Sequence, residues 1–161
     1  MSNFSSKEAH HQKMEEETTH ILEEARMVVP GIQALFGFQL IVVFNSVFDK
    51  ELSSSQKYLH LLAIATTTIA LILNLAPAAY HRLAKQEMVS RYFITISTRF
   101  ITWAMFILMG GICMDFFLIT QRITQNFAVS LITIGCLFLV FLYFWVIFPK
   151  IGADRPQRGK R

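Results

Sequence analysis

His60, Thr67, Asn74 and His81 recur every seven residues through the apolar run from Tyr58 to Arg82. A seven-residue step brings an α-helix to within about 20° of the same face, so all four side chains project one way. At about 1.5 Å of rise per residue, His60 and His81 stand roughly 31 Å apart. That is close to the thickness of a bilayer's hydrocarbon core. Imidazole, hydroxyl and carboxamide groups in this order suit the handling of protons or a cation, and histidine titrates near neutral pH. Neighbours in the stripe are about 10.5 Å apart along the axis, too far for direct proton hopping without water or groups from other helices.

A second set gathers where the helices would meet one membrane surface. Glu24, Arg26 and Gln33 lie at the start of the first apolar run, Asn74, Pro77, His81 and Arg82 at the end of the second, and Arg99 at the start of the third. Pro77 removes the backbone bond to residue 73 and frees a carbonyl near Asn74. Two readings of this cluster stand side by side. It is a cytoplasm-facing site for an ion, a proton or a small ligand, or it is a packing seam whose arginines touch lipid phosphate. An arginine at the membrane centre costs up to about 2.5–3.5 kcal/mol on insertion scales, so Arg99 is expected to find a carboxylate, Glu23 or Glu24. Asp115 cannot serve, being about 24 Å further along the same helix.

The elements that must position these residues follow from hydropathy. The 161-residue chain is 53% apolar and 16% charged, with mean hydropathy +0.44. Soluble domains carry about 25% charged residues. Four apolar runs predict spans at about 31–48, 59–82, 96–119 and 127–148, in a domain covering 30–149. Residues 1–29 read as an acidic tail and a lead-in helix that docks near Pro30, and 150–161 as a basic tail. The expected fold is all-α: a polytopic membrane protein with four transmembrane helices in an up-down bundle and an N-terminal cytoplasmic helix. Gly31 and Gly37 would let helices approach closely. Gln33, Gln39 and Asn45 fall on three different faces of the first span. The fourth, ending in Phe141, Tyr143, Phe144, Trp145 and Phe148, reads as a lipid-facing anchor with an interfacial aromatic belt.

Basic residues set the orientation. Lys7, Lys13 and Arg26, then Arg82, Lys85 and Arg91, then Lys150, Arg155, Arg158, Lys160 and Arg161 put the termini and middle connection on the cytoplasmic side. The other two connections hold Lys50, Lys57 and Arg122. The net charge of +4 thus points to anionic lipid headgroups at the basic tail rather than to nucleic acid. The polar, acidic first thirty residues do not read as a signal peptide. Cys113 and Cys136 differ in expected depth and read as buried free thiols. His10, His11 and His20 beside Glu15–Glu17 read as solvated tail rather than as a metal site. No serine–histidine–acid set, zinc motif or phosphate loop is present. The expectation is therefore no enzyme, no cofactor and no metal.

Glu24-Ala25-Arg26, Gly31-Ile32-Gln33-Ala34-Leu35-Phe36-Gly37-Phe38 and Ala76-Pro77-Ala78-Ala79-Tyr80-His81-Arg82 together resemble a bacterial family of small four-helix membrane proteins of unknown function. Some of its members carry the label sodium:proton antiporter. The resemblance implies a bacterial inner membrane and no established activity. Proton exchange needs a titratable carboxylate deep in the membrane. The expected spans hold no glutamate, and Asp115 falls about one turn from the outer end of the third. The leading expectation is a non-catalytic multi-pass protein acting through assembly, as a homo-oligomer or with a membrane partner. The alternative is a cation/proton transporter working as an oligomer.

Overall fold

The computed structural model describes residues 2–83 and 91–153, and among them every regular element is helical. Helix α1 runs Ser2–Val43, α2 Ser46–Glu51, α3 Ser54–Leu83, α4 Arg91–Thr124 and α5 Phe127–Leu142. A π-helical turn, Tyr143–Ile147, leads into α6, Phe148–Ala153. Four of the helices, with the run Phe127–Gly152 counted as one, are long and apolar enough to cross a membrane. The protein is a multi-pass membrane protein. Lys85, Arg155, Arg158, Lys160 and Arg161 lie outside the described residues, as do the side chains of His10 and His11.

Cross-helix contacts fix the directions. Gln39 meets Thr67, and Asn74 meets the Ala25 carbonyl, so α1 and α3 are antiparallel. His60 meets Asp115 while Tyr80 stacks on Phe93, so α3 and α4 are antiparallel as well. Ser130 meets Gln121, which makes α5 antiparallel to α4. One end of the bundle, the hairpin end, carries the turns near Asn45 and Gln125. The opposite end carries the close of α3 and the start of α4.

Local chemistry explains the hairpin-end turns. Ser53 and Gln56 form a reciprocal capping box: Ser53 N–H donates to Gln56 Oε1 at 2.9 Å and Gln56 N–H to Ser53 Oγ at 3.3 Å. Gln125 takes the left-handed conformation, with φ of 50°. Asn126 Oδ1 then accepts from the Ala128 and Val129 amides, which starts α5 after a two-residue turn.

Three helices share one packing rule. The buried residues of α1 include Thr18, Ala25, Ile32 and Gln39, and those of α4 include Ser97, Ala104, Gly111 and Leu118. On α3 they are His60, Ala63, Thr67, Ala70, Asn74 and Pro77. The α1 and α4 sets step by seven residues and the α3 set alternately by three and four, the repeat of left-handed coiled coils. The α3 set alternates polar groups with alanine or proline, so the helices can close in while hydrogen bonds cross between them. By contrast, Ser130 is the one buried residue of α5, which packs at the edge. The π-helical turn falls in its aromatic end, where Phe148 N–H reaches back to the Tyr143 carbonyl. Trp145 there packs edge-on against Phe141.

Several expected details differ. The helix does not break at Pro30, which sits inside α1. That proline forfeits one backbone bond, while the seven-residue seam continues through it from Ala25 to Ile32. The first crossing helix ends at Val43, so Asn45 lies in a turn beyond it. Helix α4 continues past residue 119 to Thr124. Cys113 and Cys136 are both free, as expected, but Cys136 is exposed on the bundle surface.

Close approach is assigned to a different glycine. A Cβ on Gly31 or Gly37 would meet no neighbour, whereas one on Gly111 would lie 2.9 Å from Thr66 Oγ1 and 3.1 Å from Thr67 Oγ1. Gly111→Ala should therefore push α4 off α3 and cost about 1–3 kcal/mol. Gly110→Ala, facing open space, should be neutral or slightly stabilising. Thermal unfolding of the two variants in detergent checks the contrast.

Candidate functional site

Four polar side chains from three helices meet where the seam reaches the hairpin end. Gln39 of α1 donates from Nε2 to Asp115 Oδ2 at 2.6 Å and to Thr67 Oγ1 at 3.1 Å. The Thr67 hydroxyl spends its own proton on the Ala63 carbonyl, 3.0 Å away. His60 Nε2 lies 3.0 Å from the Gln39 backbone carbonyl, and His60 Nδ1 lies 3.5 Å from Asp115 Oδ1. His60 is 7% exposed and Asp115 16%. The His60 ring is also held against Phe48, with centroids 5.5 Å apart.

This geometry fixes one proton and leaves another shared. A carbonyl cannot donate, so Nε2 must carry hydrogen. Nδ1 then faces a carboxylate oxygen. With no proton between them, two lone pairs would oppose each other beside an unneutralised buried carboxylate, an arrangement of high cost. The His60–Asp115 pair is therefore arranged to share one proton between Nδ1 and the carboxyl. Gln39 Oε1 is buried and has no hydrogen-bond partner, so the network keeps one free acceptor beside Asp115.

A cleft of about 340 Å³ opens onto this pair. Its walls are apolar, from Leu35, Phe38 and Val42 of α1 and Leu118, Ile119 and Ile123 of α4. Gln56 and Arg122 line its hairpin-end portion. Towards the other end of the bundle the seam is shut: Thr67, Ala70 and Asn74 are at most 1% exposed. Asn74 Nδ2 donates to the Ala25 carbonyl at 2.8 Å, tying α3 to α1 below the site. The pair is thus closed off on that side and open to the cleft.

The sequence-derived candidates divide. Of the seven-residue stripe, His60, Thr67 and Asn74 face inward, and His81 is exposed at the end of α3. His60 is the buried partner of Asp115. Asp115 lies nine residues inside the end of α4, deeper than the expected span implied. Glu24, Arg26, Gln33, Arg82 and Arg99 are exposed, whereas Asn74 and Pro77 are buried. The eight therefore do not form one cluster. Arg26, His81 and Arg82 line a common cleft. Among the described residues neither Glu23 nor Glu24 pairs with Arg99; Glu23 instead lies 3.9 Å from His20. Gln39 and Asp115 were not singled out as site residues. For Gln39 the signal is the seven-residue repeat Thr18, Ala25, Ile32, Gln39 on α1, whereas Asp115 falls between the repeat positions Gly111 and Leu118 of α4.

A family model described as a family of unknown function (DUF6328) matches residues 7–149. No curated protein and no solved structure gives a match.

Because the pair shares a proton, its two members should be energetically coupled. His60→Ala and Asp115→Ala should each destabilise by about 3–5 kcal/mol, the cost of stranding one partner of a buried pair. The double variant should lose clearly less than the sum, by about 1 kcal/mol or more. A double-mutant cycle of unfolding free energies checks this, with additivity as the contrary result.

Proposed function

We propose, for a chain that belongs to the DUF6328 family of unknown function, that its function is proton-linked binding of a cation within the membrane, in the manner of a cation/proton exchanger. The observation that carries the proposal is the buried His60–Asp115 pair, Nδ1 and Oδ1 3.5 Å apart, in the wall of an apolar cleft. A cation entering the cleft would take the place of the shared proton beside the Asp115 carboxylate, and the proton would leave by the same opening. Apolar walls favour a cation that brings its own apolar surface, because a hydrated metal ion would have to shed water without replacement ligands. The closed seam at Ala70 and Asn74 corresponds to one access state. Exchange across the membrane would require α3 to part from its neighbours below Thr67.

The lysine and arginine counts support an orientation with the cleft facing away from the cytoplasm and both termini inside. The resemblance of the chain to a bacterial family supports the inner membrane as its location. Covalent chemistry has no part in this reading.

A second reading, action through assembly or a membrane partner, has its own observation. Gly31 and Gly37 on α1 and Gly135 on α5 meet no neighbour within the chain. They leave narrow faces where another helix could approach closely. The two readings are compatible, since an oligomer could complete a pathway that one chain leaves closed.

Tetraphenylphosphonium, an apolar cation, is the probe for the site. Its binding to the purified protein should weaken as pH falls, because protonation of the pair competes with it. Asp115→Asn should lose both the binding and the pH dependence. In proteoliposomes, the same cation should collapse an imposed pH gradient faster than in empty vesicles. Binding that is independent of pH and unchanged in Asp115→Asn would refute the exchange reading.

A further inference from the structure

The far end of the bundle carries a cleft of different chemistry, between α1 and the end of α3. It measures about 660 Å³ and is lined by Arg26 of α1 and by His81 and Arg82 of α3. Leu22, Leu75 and Leu83 supply apolar wall, and among the described residues no carboxylate lines it. The His81 ring is steadied by α4, 5.9 Å from the Phe93 ring. Neither guanidinium forms an ion pair with a described residue, and the nearby Glu23 is turned to His20. Two arginine forks stand exposed and uncommitted beside an apolar surface on which Leu75 is 43% and Leu83 80% exposed.

That combination suits one class of ligand. Guanidinium groups bind phosphate oxygens in a fork-to-fork geometry that a lone ammonium cannot provide. The leucines next to them would gain nothing from a small hydrated anion but would bury an alkyl chain. Both features sit where the apolar run of α3 gives way to basic residues, the level of the headgroups in a bilayer. We propose that this cleft binds an anionic phospholipid. Arg26 and Arg82 hold its phosphate, and Leu22 and Leu75 lie along the first part of its acyl chain. The site is independent of the His60–Asp115 pair, from which it is separated by the closed seam.

The test uses the full chain in a neutral detergent, with unfolding midpoints measured as lipid is added. Phosphatidylglycerol should raise the midpoint by about 4 °C or more at saturation. Phosphatidylcholine, whose phosphate is already neutralised, and inorganic phosphate should raise it far less. Arg26→Gln combined with Arg82→Gln should start from the wild-type midpoint, since neither side chain has an ion-pair partner among the described residues, and should lose the increment. Arg99→Gln, an exposed arginine away from the cleft, should keep it. Native mass spectrometry of the same proteins should count fewer retained phosphatidylglycerol molecules on the double variant, a readout that does not depend on unfolding. Equal stabilisation by phosphatidylcholine, an equal loss in Arg99→Gln, or full retention of lipid by the double variant would overturn the proposal. A matching increment from inorganic phosphate would make this a free-anion site and overturn the lipid assignment.

Discussion

A carboxylate, an imidazole, a carboxamide and a hydroxyl buried together at membrane depth impose the constraint on which this structure depends. Lipid offers no partner to any of them, so each must be satisfied by another helix. Gln39 does most of that service. Its amide reaches both Asp115 and Thr67, and its backbone carbonyl orients His60. Helices α1, α3 and α4 can therefore adopt only one mutual register at the hairpin end. A shift of one residue along any of them would strand a charged or polar group.

The rest of the packing follows from the need to bring those groups together. Lipid tails are as apolar as the side chains, so hydrophobic burial does not drive the helices together in the membrane; close packing and interhelical hydrogen bonds must. Ala63 and Ala70 are fully buried on α3, and Gly111 on α4 presses against Thr66 and Thr67. Small residues are what allow the Gln39 amide to span to α4. The bond from Asn74 to the Ala25 carbonyl fixes α1 on α3 a second time, roughly 20 Å nearer the other end by helical rise. Membrane hydrogen bonds of this kind contribute only about 0.6–2 kcal/mol each. Specificity of register, more than strength, is what they confer. Helix α5, lacking such groups apart from Ser130, remains at the periphery.

Much of this was legible in the amino-acid sequence, and the remainder was hidden for identifiable reasons. The four crossing helices are plain from hydropathy, because a bilayer needs long apolar runs and little else produces them. The seven-residue spacing of His60, Thr67 and Asn74 gave the buried face of α3 correctly. The same spacing misled at His81, because the repeat continues past the point where neighbouring helices still cover it. Asp115 was misjudged through helix length: apolar content alone ends α4 near residue 119, but the polar residues Thr120 to Thr124 continue the helix. Arg99 was assigned a carboxylate on the assumption that an arginine within a span must be paired. It is exposed instead, at a depth from which a long side chain can reach the headgroups. Gln39 shares no face with Gln33 or Asn45, so its helix shows no continuous polar stripe in the sequence. One amide at the right level was enough.

The structure turns on His60 and Asp115 sharing a proton between Nδ1 and the carboxyl, with hydrogen on Nε2 facing the Gln39 carbonyl. Nitrogen NMR of the reconstituted, ¹⁵N-histidine-labelled protein tests it most directly, with His60 assigned by comparison with His60→Gln. Nε2 should carry hydrogen towards the Gln39 carbonyl, and the Nδ1 signal should change in Asp115→Asn. A neutral His60 protonated on Nδ1, or a ring indifferent to the loss of the Asp115 charge, would contradict it.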